Sequence, residues 1–206
     1  MDRAGFAALT GATPAQLDDL ESLLARLTEW NSRMNLVGPS TLPDYWSRHA
    51  WDSAQLLSLA PGASTWADLG AGAGFPGLVL AILLKGRSGA HVHLVESLAK
   101  RCRFLTEAVE ALNLPATVHN VRAESMKLAV DVVTARAMAP LPRLLGYAKP
   151  FLDRGAMALF LKSAQIEEEI AEARKTWRFQ ADILPSRSDS RGRIVRLERL
   201  SRGARS

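Results

Sequence analysis

Asp68, Gly70, Gly72 and Gly74 recur at every second position and run directly into Phe75, Pro76 and Gly77. Glycines at this spacing let a backbone turn pass close beneath a ligand, because no Cβ stands between main chain and guest. The residues before the turn, Ser64 to Leu69, form an apolar strand-like run, and Leu78 to Leu84 form an apolar helix-like one. Pro76 suits the first turn of that helix, where its missing N–H breaks no bond. Strand, glycine turn and helix together make a cofactor loop of the Rossmann kind.

Two cofactors compete for such a loop. From Gly72 onward the residues satisfy G-x-G-x-x-G, the dinucleotide pattern. From the strand end they read Asp68-x-Gly70-x-Gly72-x-Gly74, the form used for S-adenosylmethionine. An acid at Asp68 sits poorly beside a pyrophosphate and well near a donor carrying a sulfonium and an ammonium, so charge favours the methyl donor. A glycine turn serving only tight packing is the plain alternative. Glu96 lies about 24 residues past the glycines, where an acid binds ribose hydroxyls with either cofactor. Further on, Ala123-Glu124 follows a strand and offers a backbone N–H and a carboxylate to an adenine ring. Arg136, after Val132-Val133-Thr134-Ala135, closes another strand, where it is placed to grip a carboxylate or phosphate or to form a structural salt bridge.

Other polar groups give weaker signals. His49 and Asp52 together suggest a general base, although a lone histidine is more often structural. Arg48 and Asp52 are spaced to share a helix face. No cysteine–histidine spacing points to a metal, and no G-x-S-x-G element to a serine hydrolase. The single cysteine, Cys102, allows no internal disulfide and suits a reducing cytoplasm. Between Arg101 and Arg103 its thiol is open to a lowered pKa, but an ordinary small residue on a helix is the simpler expectation.

These residues must be positioned by a chain of 206 residues with 48% hydrophobic content, enough for one sizeable core. No apolar run approaches the roughly 20 residues of a membrane span, and the N-terminus lacks a signal-peptide core, so a cytoplasmic protein is expected. The net charge is +5 and unevenly spread: residues 1–60 carry four bases and seven acids, the last twenty residues seven arginines against two acids. Arginines so clustered are the electrostatic footprint of a phosphate-backbone partner, or else a solvated tail.

Thr13, Pro14 and Gln16 form a capping-box start, and Leu17, Leu20, Leu24, Leu27, Trp30 and Met34 mark one apolar helical face ending near Val37–Pro39. A second helix is expected from about Thr41 to Leu59, stopped by Pro61-Gly62. From Ser64, strands at 65–69, 92–96, 117–121, 130–135 and 156–161 alternate with helices at 77–85, 98–112, 141–150 and 164–176. Such alternation predicts an α/β fold with a mostly parallel sheet. Strands at 179–184 and 193–200, with no helix between them, predict a closing antiparallel hairpin. The chain thus divides into a helical extension, residues 1–62, and a Rossmann-like domain that carries the glycine loop, residues 63–206.

The motifs Asn35-Leu36-Val37, Arg48-His49-x-x-Asp52-Ser53, Asp68 to Gly77, Glu96-Ser97-x-x-Lys100-Arg101-x-x-Phe104-Leu105, Ala123-Glu124, Arg136-Ala137 and Phe160-Leu161-Lys162 resemble those of the RsmG (GidB) family of bacterial 16S ribosomal RNA methyltransferases, over about residues 15–165. The resemblance implies a class I methyltransferase fold. It also implies methyl transfer from S-adenosylmethionine to N7 of a guanine in the decoding-region stem-loop of 16S ribosomal RNA, with the small ribosomal subunit as partner. Donor contacts would fall on Gly70, Phe75, Ala123, Glu124 and Arg136, with Glu96 at the ribose; Asp68, Gly72 and Gly74 complete the loop. A monomer is expected, with neither membrane nor metal. N7 carries an in-plane lone pair, so no catalytic base is required and orientation should dominate. Two other readings are a nucleotide-linked oxidoreductase, disfavoured by Asp68, and a non-catalytic RNA- or ribosome-binding module, disfavoured by the intact glycine loop.

Overall fold

The computed structural model describes residues 1–203. Helices α1 (Arg3–Thr10) and α2 (Pro14–Asn31) are followed by a short 3-10 turn, Pro39–Thr41, and a π-helical turn, Trp46–Trp51; this runs on through α3 (Asp52–Ala54) into a 3-10 turn, Gln55–Leu59. The rest alternates: β1 (Thr65–Leu69), α4 (Gly77–Leu84), β2 (His91–Val95), α5 (Ala99–Ala111), β3 (Ala116–His119), β4 (Val132–Arg136), α6 (Leu141–Leu152), β5 (Met157–Lys162) and α7 (Ile166–Ala173), then β6 (Trp177–Pro185) and β7 (Arg193–Arg202).

The seven strands form one sheet in the order β3-β2-β1-β4-β5-β7-β6. β1 to β5 run parallel, and β7 enters antiparallel between β5 and β6. The predicted α/β architecture and closing hairpin are both present. Chain order reverses between β1 and β4, the place where open parallel sheets leave a crevice at their carboxyl ends. Asp131 fixes the start of β1 by accepting from the Ser64 and Thr65 N–H groups at 2.8 Å each.

Each face of the sheet has its own core. Trp66, Val92, Leu94, Val132 and Leu159 pack with α2, α4 and α5, while Ala67, Leu69, Val133, Ala135 and Phe160 pack with α6 and α7. α4 is buried on nearly every side, a helix apolar all round that needs a second covering layer. α2 and α3 supply it, so Leu20, Leu23 and Leu27 share a core with Leu78 and Leu80.

The N-terminal segment departs from expectation in three places. α1, capped by Asp2 and ended by Gly11 in the left-handed region, was not foreseen; it buries Phe6 against Trp46. α2 keeps the predicted capping box but stops at Asn31, whose Oδ1 accepts from the Leu36 and Val37 N–H groups and turns the chain early. The expected helix over 41–59 is instead a mixture of 3-10, π and α turns. Widened turns of this kind cluster at functional sites.

Candidate active site

The glycine loop leaves β1 at the point where the sheet order reverses. Gly70, Gly72 and Gly74 all adopt positive φ, at 64°, 54° and 85°, a region costly for any residue with a Cβ. A Cβ on Gly70 would lie 2.8 Å from Met138 Cγ, and one on Gly74 2.2 Å from Leu78 Cδ1. Gly72 differs, because a Cβ there would meet only the Gly70 carbonyl at 3.6 Å. Gly70 and Gly74 are therefore required by close packing, and Gly72 leaves an open side above the strand ends.

Asp68 is 1% exposed and lies under the loop. Its Oδ2 accepts from the Gly77 N–H at 2.9 Å and its Oδ1 from the Thr134 hydroxyl at 3.1 Å. Burial pushes its pKa up to about 7, against the lowering effect of those hydrogen bonds and of Arg136. One oxygen is committed to the start of α4 and the other to β4, so Asp68 holds α4 against β1 and β4. Glu96, at the end of β2, is also buried. Oε2 accepts from the Gly72 N–H at 3.0 Å and Oε1 from the Leu98 N–H at 2.8 Å, with Arg101 3.7 Å away. The Glu96 carbonyl accepts from Asn120 and Cys102, which joins the ends of β2 and β3. Cys102 is the ordinary buried residue on a helix that was expected, and burial and the Glu96 charge push its thiol up rather than down.

Ala123 is buried at the start of a 3-10 turn, Ala123–Ser125, beyond β3. Glu124 next to it is exposed and pairs with Arg122 at 3.1 Å. Gly72, Glu96 and Ala123 thus border the β1, β2 and β3 ends, while Phe75 and Arg136 belong to another cluster. Phe75 is buried and stacks on His49, with ring centroids 4.7 Å apart and planes 24° from parallel. The Arg136 guanidinium lies over Phe75 at 5.2 Å. It donates to the Arg48 carbonyl in the widened turn at 2.9 Å, to Asp52 Oδ2 at 3.1 Å and to His49 Nδ1 at 2.8 Å. Arg136 is thus engaged in a salt bridge that ties β4 to the helical segment.

His49 is not built to be a base. Arginine only donates, so Nδ1 accepts and the ring proton sits on Nε2, facing Thr41 Oγ1 at 2.9 Å. Burial, then the positive charges of Arg136 and Arg48, push its pKa down to about 3. Among the described residues the Asp52 carboxylate makes no hydrogen bond to the His49 ring; it bonds Arg136, Ser188 and Gln55.

A cleft of about 860 Å³ opens beside the glycine loop, at the ends of β4 and β5. Met138 lines it and also touches Gly70, so loop and cleft share a wall. Ala137, next to Arg136, takes φ 50°, a strained value for a residue with a Cβ and one found at functional turns. Gln55, Ser186 and Ser188, which sequence reasoning missed, join the turn between β6 and β7 to Asp52. The signal available was the polar run Ser186 to Ser190 between two strands.

Comparison with known proteins agrees with this geometry. A family model described as rRNA small subunit methyltransferase G matches residues 16–190. Ribosomal RNA small subunit methyltransferase G of Caulobacter vibrioides is 61% identical over 98% of this chain and 94% of its own length. The protein of the same description from Bradyrhizobium sp. BTAi1 is 46% identical over 98% and 92%. An O-methyltransferase from Bacillus cereus, solved with S-adenosylhomocysteine, shares the fold with a TM-score of 0.58 at 16% identity, covering 86% of this chain and 91% of that one. With the glycine loop beside its cleft, the family model matched over residues 16–190 and 61% identity over nearly the whole chain make this protein a member of the rRNA small subunit methyltransferase G family.

Proposed function

We propose that the protein transfers a methyl group from S-adenosylmethionine to N7 of a guanine in the decoding-region stem-loop of 16S ribosomal RNA, acting as a monomer in the cytoplasm. Membership of the family carries the methyl donor and the small-subunit RNA substrate. The atom and the stem-loop rest on the resemblance of the motifs. Residues 1–62 are then a helical extension that helps wall the acceptor side, and residues 63–206 the methyltransferase domain.

The loop fits an adenosyl ligand, because a Cβ on Gly72 would meet only the Gly70 carbonyl, at 3.6 Å, and Glu96 accepts from the Gly72 N–H beside it. In this reading Glu96 exchanges its bond to the Gly72 N–H for the ribose hydroxyls, and Ala123 and Glu124 receive the adenine. Gly70, Gly74 and Phe75 shape the floor, Asp68 acts from beneath, and Arg136 holds the wall between donor and cleft. The donor supplies an electrophilic methyl on a positively charged sulfur.

The single observation that favours N7 over an amine or hydroxyl acceptor is the state of His49. It is the one histidine beside Arg136, and it is neutral with Nδ1 occupied, so it removes no proton. A ring nitrogen with a free in-plane lone pair needs none removed, and alignment by the protein suffices. The test is to map N7-methylguanine in 16S RNA from cells lacking the protein and to restore it with purified enzyme and labelled donor. Loss and restoration of one such nucleotide is expected; incorporation of label at a different atom refutes the assignment.

A further inference from the structure

The C-terminal arginines, which look like one cluster in sequence, are separated by the sheet. β7 runs antiparallel to β5 with Arg193 opposite Lys162, the last residue of β5. β7 therefore begins at the carboxyl-end edge, where the cleft lies, and ends at the opposite edge with Arg202 paired to Trp177. Arg191 and Arg193 line the cleft together with Arg48, Arg136 and Lys162. Arg136 is neutralised by Asp52 and Lys162 by Glu169. Among the described residues, Arg48, Arg191 and Arg193 have no acidic partner within 4 Å. Among the described residues the Arg193 guanidinium donates only to the carbonyls of Ser190 and Gly192, while Asp189 accepts from the Arg191 backbone N–H.

The turn carrying these arginines is also fixed in place. Gln55, 2% exposed, reaches Ser186 and Ser188 through Nε2 and accepts the Arg187 N–H through Oε1 at 2.8 Å. Ser188 donates to Asp52 at 2.5 Å, and the Trp51 indole donates to the Arg187 carbonyl at 3.2 Å. A buried glutamine spent on a surface turn holds that turn at the cleft mouth, and a site ordered in advance loses less entropy when it binds.

We propose that the turn between β6 and β7 is a preformed clamp for the RNA sugar-phosphate backbone. In it Arg191 and Arg193, with Arg48 across the cleft, take the phosphates flanking the target base, and Arg199 and Arg202 take none. This rests on the RNA-methyltransferase reading of the same site. Arg205, part of the same sequence cluster, lies outside the described residues.

The experiment compares R191Q/R193Q with R199Q/R202Q. Affinity for a single-stranded oligoribonucleotide containing the target loop is measured over a KCl series, and donor affinity is measured separately by calorimetry. Each single-stranded phosphate contact contributes roughly 0.7 to the slope of log affinity against log salt. R191Q/R193Q should therefore flatten the slope by about 1.4, and R199Q/R202Q should leave it unchanged, with donor affinity retained in both. If R191Q/R193Q does not fold, R191Q alone, which removes no side-chain hydrogen bond seen among the described residues, should flatten it by about 0.7. An unchanged slope in a folded turn variant, or an equal loss in the distal pair, overturns the clamp. Wild-type protein that shows the arginine-dependent slope yet transfers no methyl to a 16S transcript overturns the function and leaves the clamp standing.

Discussion

His49 gives the sharpest test of a base-free site, because its geometry predicts both a rate profile and a stability profile. The substitution is His49→Asn, which keeps an acceptor near the Nδ1 position for Arg136 while removing the titratable ring. The ring's pKa falls from 6.5 to about 3 in the folded protein, first through burial and then through Arg136 and Arg48. A depressed histidine pKa means that the unfolded chain binds the proton more readily. Its stabilising effect is complete above 6.5 and is lost as pH falls toward 3. Between pH 7 and pH 5 the wild type should lose about 2 kcal/mol relative to His49→Asn. Comparing the two proteins cancels the opposing contribution of Asp68, whose raised pKa favours the folded state at low pH. Urea unfolding at a series of pH values measures the difference. The single-turnover methylation rate should meanwhile stay nearly level around pH 6–8 in both proteins. His49→Ala, which also drops the Arg136 and Thr41 contacts and the Phe75 stack, should slow transfer without introducing a pH dependence. A rate that rises with an apparent pKa near 6.5 in wild type and goes flat in His49→Asn would refute the argument.

The donor side makes two further predictions. Glu96→Ala should weaken S-adenosylmethionine binding by about 1.5–3 kcal/mol, the worth of charged hydrogen bonds; unchanged calorimetric affinity in a folded variant removes Glu96 from the ribose. Gly77→Ala should destabilise the fold by about 1–3 kcal/mol, because the new Cβ would lie 2.2 Å from Leu94 Cδ2 and 2.8 Å from Asp68 Oδ2. Thermal melting equal to wild type would show that Asp68 is not held as described.

Local pattern and chemistry carried much of this in the sequence itself. Alternating apolar runs and glycine spacing are short-range signals, so the parallel strands, the glycine turn, the Thr13 capping box and the closing hairpin could all be read before any contact was known. The motif combination was specific enough to give the family, which the family model and the close relatives bear out. The segment from Pro39 to Leu59 was not legible in this way. Its mixture of 3-10, π and α turns follows from docking against Phe75 and Arg136, residues that are distant in sequence. What the charged groups do depends on the assembled fold. Asp68 and Glu96 turn inward to backbone N–H groups, Arg136 is paired with Asp52, and Gln55 pins a turn more than 130 residues away. It also divided one arginine cluster between opposite edges of the sheet. The sequence supplies residue types at fixed spacings along one line. Which charge meets which partner depends on distances across the fold, set by strand order and by the direction in which β7 runs.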